Sequence, residues 1–81
     1  MLSLMTLYKF ILLPEEDKAR ELWDCGEFFL YRLETPQTVL LYKLHDFYVE
    51  VYYSEETNQI VRFNPFCSKE RLKLYFTLQP N

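Results

Sequence analysis

From Val39 to Tyr53 the chain reads VLLYKLHDFYVEVYY, without Gly or Pro and dense in β-branched and aromatic residues. That composition fits a pleated, half-buried surface. A β-hairpin turning at His45-Asp46 sets Leu44 opposite Phe47, Tyr42 opposite Val49 and Leu40 opposite Val51. Residues facing each other on antiparallel strands project to the same side, so this register makes one continuous apolar face. The other face carries Val39, Leu41 and Lys43 against Tyr52, Glu50 and Tyr48. His-Asp lacks the positive-φ preference of Asn-Gly, which leaves the turn type open.

The flanking segments extend the same sheet. Glu27–Leu33 (EFFLYRL) reads as a strand, and a turn at Glu34-Thr35-Pro36-Gln37 pairs Leu33 with Thr38, Tyr31 with Leu40 and Phe29 with Tyr42. This adds Phe29, Tyr31 and Leu33 to the apolar face, and Phe28, Leu30 and Arg32 to the opposite one. Ser54–Gln59 (SEETNQ) closes a further hairpin, with Asn58 suited to a left-handed position. A fourth strand follows at Ile60–Asn64. An odd loop turns Val61 and Phe63 inward and, at five residues, sets Arg62 opposite Glu50; an even one would turn Arg62 inward at the cost of an unpaired charge.

Helical signals bracket this meander. Pro14-Glu15-Glu16-Asp17 is a helix start, with proline tolerated in the first turn and three acids complementing the dipole. The helix runs to about Asp24, buries Ala19, Leu22 and Trp23, and stops at Gly26. Asn64-Pro65-Phe66 breaks the fourth strand, and Ser68 caps a last helix from Lys69 to about Leu78. Its inward stripe is Leu72, Tyr75 and Phe76, extended by Leu78, with Cys67 and Leu72 at the positions of a hydrophobic staple. Thr6–Leu13 (TLYKFILL) reads as a candidate fifth strand because of its Tyr, Phe and Ile and the following Pro14.

The expected fold is therefore α+β: one domain over residues 1–81, a four-stranded antiparallel meander flanked by N- and C-terminal helices. Both helices are expected on the face of Phe29, Tyr31, Leu33, Leu40, Tyr42, Leu44, Phe47, Val49 and Val51. The second face then stays open and presents Phe28, Leu30, Val39, Leu41, Tyr48 and Tyr52 as a candidate interaction surface, larger than monomers usually expose. Homodimerisation through it, or by exchange of the N-terminal strand, is the expected assembly. The alternative is that Met1–Leu13 folds across the face within one chain.

Composition narrows the chemistry. The 81 residues include seven Tyr, seven Phe and one Trp but a single Gly. Net charge is −3, with seven acids and four bases before residue 41 and five of each after it. No basic patch exists, which weighs against nucleic acid as a partner. A single-stranded nucleic-acid binder stacking bases on Tyr48 and Tyr52 beside Arg32 and Lys43 stands as the alternative function. Cys25 and Cys67 belong to no ligand motif and read as small buried thiols in a reducing, cytoplasmic setting. MLSLMTLYKFILL lacks the marks of a secretory signal and is too short to span a bilayer. His45 at a hairpin tip is poorly placed for orientation by a buried carboxylate, so no catalytic triad emerges. Glu50, the one acid on a central strand, reads as a structural ion pair with Lys43 or Arg62. Neither a catalytic residue, a cofactor nor a metal ligand set is expected; the expected role is a non-enzymatic protein-interaction or self-association module.

LYKLHDFYVEVYYSEETNQIVRFNPF, followed by a Ser-capped helix ending in LKLYF, resembles a group of small uncharacterised bacterial proteins. In that group a short helix ending in Gly precedes an FYVEV-type strand, a T-N-x-I turn and a closing helix. The resemblance covers roughly residues 15–78 and implies a bacterial cytoplasmic protein without a transferable active site. His45-Asp46 stands where that pattern would carry a glycine.

Overall fold

A computed structural model describes residues 5–77. Four antiparallel strands, β1 (Glu27–Glu34), β2 (Gln37–Leu44), β3 (Phe47–Ser54) and β4 (Gln59–Phe66), form one sheet in sequential order. Helices α1 (Leu7–Leu12) and α2 (Glu15–Cys25) precede it and α3 (Lys69–Thr77) follows. The α+β meander expected from the sequence is the fold. The β2–β3 register is as read: Leu44 pairs with Phe47, Tyr42 with Val49, Leu40 with Val51 and Leu41 with Glu50. His45 takes up the turn with φ 59°, the left-handed conformation that a two-residue hairpin demands. Asn58 is left-handed too, at φ 62°.

Thr6–Leu13 is not a strand. The Thr6 hydroxyl accepts from the Lys9 N–H, and the Phe10 N–H bonds to the Thr6 carbonyl, opening α1. Leu7, Phe10 and Leu13 recur at a three-residue spacing and turn one stripe onto the sheet, with Phe10 fully buried against Phe47 and Phe63. That stripe and the Thr6 cap outweigh the local β-propensity of Tyr8, Phe10 and Ile11, because packing an apolar face decides a short helix. Pro14 still ends the segment, leaving Leu13 extended.

In α2, Leu22 is buried as expected, whereas Trp23 is half exposed. Gly26 stops the helix without a left-handed φ: its N–H bonds to the Leu22 carbonyl, and a Cβ there would lie 2.6 Å from that oxygen. The close approach, not backbone handedness, calls for glycine.

Two bulges redistribute side chains between the faces. In β1, Leu33 pairs with Thr38 and Tyr31 with Leu40, but the register shifts between Phe28 and Leu30, so Phe28, not Phe29, faces Tyr42. The extra residue moves Phe28 to the side of Tyr31 and Tyr42, and Phe29 to the side of Tyr48. In β4, a shift opposite Tyr52/Tyr53 lets both Ile60 and Phe63 pack inward, while Val61 is exposed. Arg62 consequently faces Tyr52, and Glu50 faces Asn64. Nor does Asn64-Pro65-Phe66 break the strand: it continues to Phe66, and Pro65 is accommodated because β4 is an edge.

The helices divide between the two faces, contrary to the expectation that both share one. α1 and α2 bring Phe10 and Leu22 onto Leu44, Phe47, Val49 and Val51. α3 lays Tyr75 and Leu72 on Leu41 and Phe66 of the other face. Ser68 caps α3 through the Glu70 and Arg71 N–H groups, as expected. Phe76 points to solvent, Cys67 is exposed rather than stapled to Leu72, and Leu78 lies outside the described residues.

Candidate functional site

The six residues of the expected open surface do not form one. Val39, Leu41 and Tyr52 are at most 2 % exposed, Leu41 packing against Tyr75 of α3 and Tyr52 bonding to Arg71, and Leu30 and Tyr48 are half-buried. Phe28 remains exposed, but on the opposite face. The nine-residue α3 covers part of the strip that two short helices on one side would have left bare.

Beneath α3 the sheet holds a polar cluster centred on Glu50, which is fully buried. Tyr75 donates its hydroxyl to Glu50 Oε2 at 2.6 Å, Asn64 Nδ2 reaches Oε1 at 2.8 Å, and Arg71 Nε reaches Oε1 at 3.0 Å. Arg32 approaches from β1 at 3.4 Å and also pairs with Glu34. Arg71 and Arg32 both donate to the Tyr52 hydroxyl, and the Arg62 guanidinium lies 3.8 Å from the Tyr52 ring centre. Burial pushes the Glu50 carboxyl up, but donation by Tyr75, Asn64 and Arg71, with the Arg71 charge, holds it below its ordinary value. The Tyr75 phenol is raised, by burial first and then by its bond to Glu50. A carboxylate so stabilised is a poor proton acceptor; the cluster ties α3 to β1, β3 and β4. The sequence reading of Glu50 as an ion-paired structural acid holds, but its arginines are Arg32 and Arg71. Lys43 and Arg62, the partners expected from diagonal or facing positions, are not its cations. Arg71 was out of view because it arrives from the helix, 21 positions away.

Exposed apolar surface gathers instead along β1. Phe28, Phe29, Tyr31 and Leu33 are 45–67 % exposed, and Trp23 of α2 is 52 % exposed. Trp23 and Phe28 both contact the Tyr42 ring, with centroids 5.6 and 5.5 Å away, on the α2 side of the sheet. On the α3 side, Phe29 meets Tyr48, which stacks on Phe66. β1 pairs with β2 only and is an edge of the sheet.

A third group lies where α2 meets the β2–β3 turn. Glu21 and Cys25, four residues apart, occupy one helix face, and the turn brings His45 to them. His45 Nε2 is 3.6 Å from Glu21 Oε2, and the ligand atoms of Glu21, Cys25 and His45 all lie within 4.8 Å of one another. The carboxylate beside His45 is the part-exposed Glu21, not a buried one, whereas Cys25 and Cys67, expected as small buried thiols, are both exposed and free. Partial desolvation, then the carboxylates of Glu21 and Asp24, push the Cys25 thiol up. That is the reverse of an activated nucleophile. Beside it, Met5, Leu13, Asp17, Arg20, Glu21 and Asp24 line a cleft of about 310 Å3.

Among the described residues no helix is long and apolar enough to cross a membrane. No family model, curated protein or solved structure matches the chain.

Proposed function

We propose that the chain is a non-enzymatic self-association module that forms a homodimer through the β1 edge. The observation that carries this reading is the exposure of Phe28, Phe29, Tyr31 and Leu33 on an eight-residue edge strand. Edge strands present unpaired backbone N–H and C=O groups, and soluble proteins ordinarily protect them with charge, proline or a covering element. β1 has only Glu27, Arg32 and Glu34 as charged residues, and Arg32 is turned inward to Glu50. A second copy supplies a matching strand, because antiparallel pairing across a two-fold axis is self-complementary. It would satisfy the backbone and cover Tyr31 and Leu33 in one step.

The nucleic-acid alternative loses its platform. Tyr52 is buried, and Arg32 is committed to Glu50, Glu34 and Tyr52. We place the chain in a reducing, bacterial cytoplasm; two exposed free thiols fit that setting.

Sedimentation equilibrium at micromolar concentration tests the assembly. A mass twice 10.0 kDa is expected, falling to 10.0 kDa in a Tyr31→Lys/Leu33→Lys double variant. A wild-type monomer, or a dimer indifferent to that double substitution, overturns it. A labelled oligonucleotide pool bound in a steeply salt-dependent manner would favour the nucleic-acid reading instead.

A further inference from the structure

We propose that Glu21, Cys25 and His45 form a three-ligand site for a thiophilic divalent transition-metal ion of the zinc class, with a fourth position open to water. Carboxylate, thiolate and imidazole are the three side-chain ligand types that zinc takes, and three of them leave one tetrahedral position for water. Tetrahedral zinc, with bonds of about 2.0–2.3 Å, sets neighbouring ligand atoms roughly 3.3–3.8 Å apart. The 3.6 Å between Glu21 Oε2 and His45 Nε2 already falls in that range. The full set within 4.8 Å needs a closure of about one ångström, within reach of an exposed Cys25 side chain on its χ1 torsion.

The local fold supplies the ligands from two rigid elements. Glu21 and Cys25 share a face of α2, whose end is fixed by the Gly26 N–H bonded to the Leu22 carbonyl. His45 occupies a left-handed turn position, which His adopts more readily than most non-glycine residues, and its imidazole is directed at the helix. Asp24 adds a second negative charge beside Cys25. On binding, the thiol proton is released to solvent; the Cys25 thiolate and the Glu21 carboxylate then balance the two positive charges, with neutral His45 as third donor. A metal here also clips the end of α2 to the hairpin tip.

Cobalt(II) titration of the reduced full-length chain is the test, read by the thiolate-to-cobalt charge-transfer absorption and followed by competition with zinc. One equivalent should develop the band, and zinc should abolish it. Cys25→Ser should eliminate it, His45→Ala and Glu21→Gln should weaken affinity at least about tenfold, and Cys67→Ser should leave it unchanged. Absence of the band in the wild-type chain overturns the site. So does a band that survives Cys25→Ser or disappears with Cys67→Ser. The ligand side chains lie at the surface, and wild type and Cys67→Ser decide the matter even if a ligand variant folds poorly.

Discussion

The Tyr75 hydroxyl of α3 donates to a fully buried Glu50 carboxylate on β3 at 2.6 Å, across 25 positions of sequence. This bond joins the last helix to a central strand and is the shortest of those that converge on Glu50. Removing the donor leaves a buried carboxylate with one fewer partner. Tyr75→Phe should lower unfolding free energy by about 1.5–3 kcal/mol, the worth of a hydrogen bond to a charged group. Glu50→Ala, which strands Arg32 and Arg71, should cost about 3–5 kcal/mol. Urea unfolding of each variant checks both figures; equal effects would mean that the arginines find other partners.

Acid should act through the same carboxylate. Glu50 is held below its ordinary 4.5 in the folded chain, so the unfolded chain binds its proton more readily. Its contribution is therefore complete above about 4.5 and is lost as pH falls through the lower, folded value. In Glu50→Gln that part of the acid dependence should vanish, leaving a shallower slope of unfolding free energy below pH 4.5. Urea midpoints measured from pH 6 down to 3 would show it.

Each face of the sheet should depend on its own helix. Phe10→Ala should cost about 3–5 kcal/mol and Leu22→Ala about 2–5 kcal/mol, as for other deleted core side chains. A chain truncated after Ser68 keeps α1 and α2 but uncovers Leu41 and Phe66 and removes both Tyr75 and Arg71 from Glu50. It should lose cooperative unfolding and bind a hydrophobic dye. A truncated chain that unfolds cooperatively as a monomer would sink the assignment of α3 as a core element.

Stability and ligand binding should diverge at the hairpin tip. His45→Gly relieves a left-handed non-glycine residue at φ 59° and should stabilise the fold by about 0.5–1 kcal/mol, since the relief outweighs the entropy added to the unfolded chain. The same substitution removes the imidazole beside Glu21 and Cys25. Thermal unfolding and cobalt affinity measured on one preparation should therefore move in opposite directions.

How much of this was legible follows from the range of each signal. Alternation across Val39–Tyr53 sets the β2–β3 register because side-chain period and turn length constrain each other within a few residues. The Ser68 cap and the Pro14 boundary are equally local. The bulges at Phe29 and Val61 were not legible: one extra residue leaves composition unchanged and is decided by which side chains pack elsewhere. The Thr6 cap with Leu7, Phe10 and Leu13 was visible as a helical stripe, yet β-propensity masked it over so short a segment. The groups around Glu50, and the meeting of His45 with Glu21 and Cys25, are tertiary. Asn64, Arg32, Arg71 and Tyr75 stand 14 or more positions from Glu50, His45 comes from a different element than Glu21 and Cys25, and nothing in the spacing announces either meeting.

Glu50 also settles which way round β3 can sit. Both sides of that strand are apolar: Phe47, Val49 and Val51 on one, Tyr48 and Tyr52 on the other. Hydrophobic burial alone would therefore tolerate β3 slipped by one residue against its neighbours. Such a slip would turn the carboxylate toward Phe10 and Leu22, away from Tyr75, Asn64 and both arginines, and an uncompensated buried charge costs several kcal/mol. One acid in the middle of an aromatic strand thus works as a proofreading mark, penalising the mispaired sheet that its hydrophobic neighbours would accept.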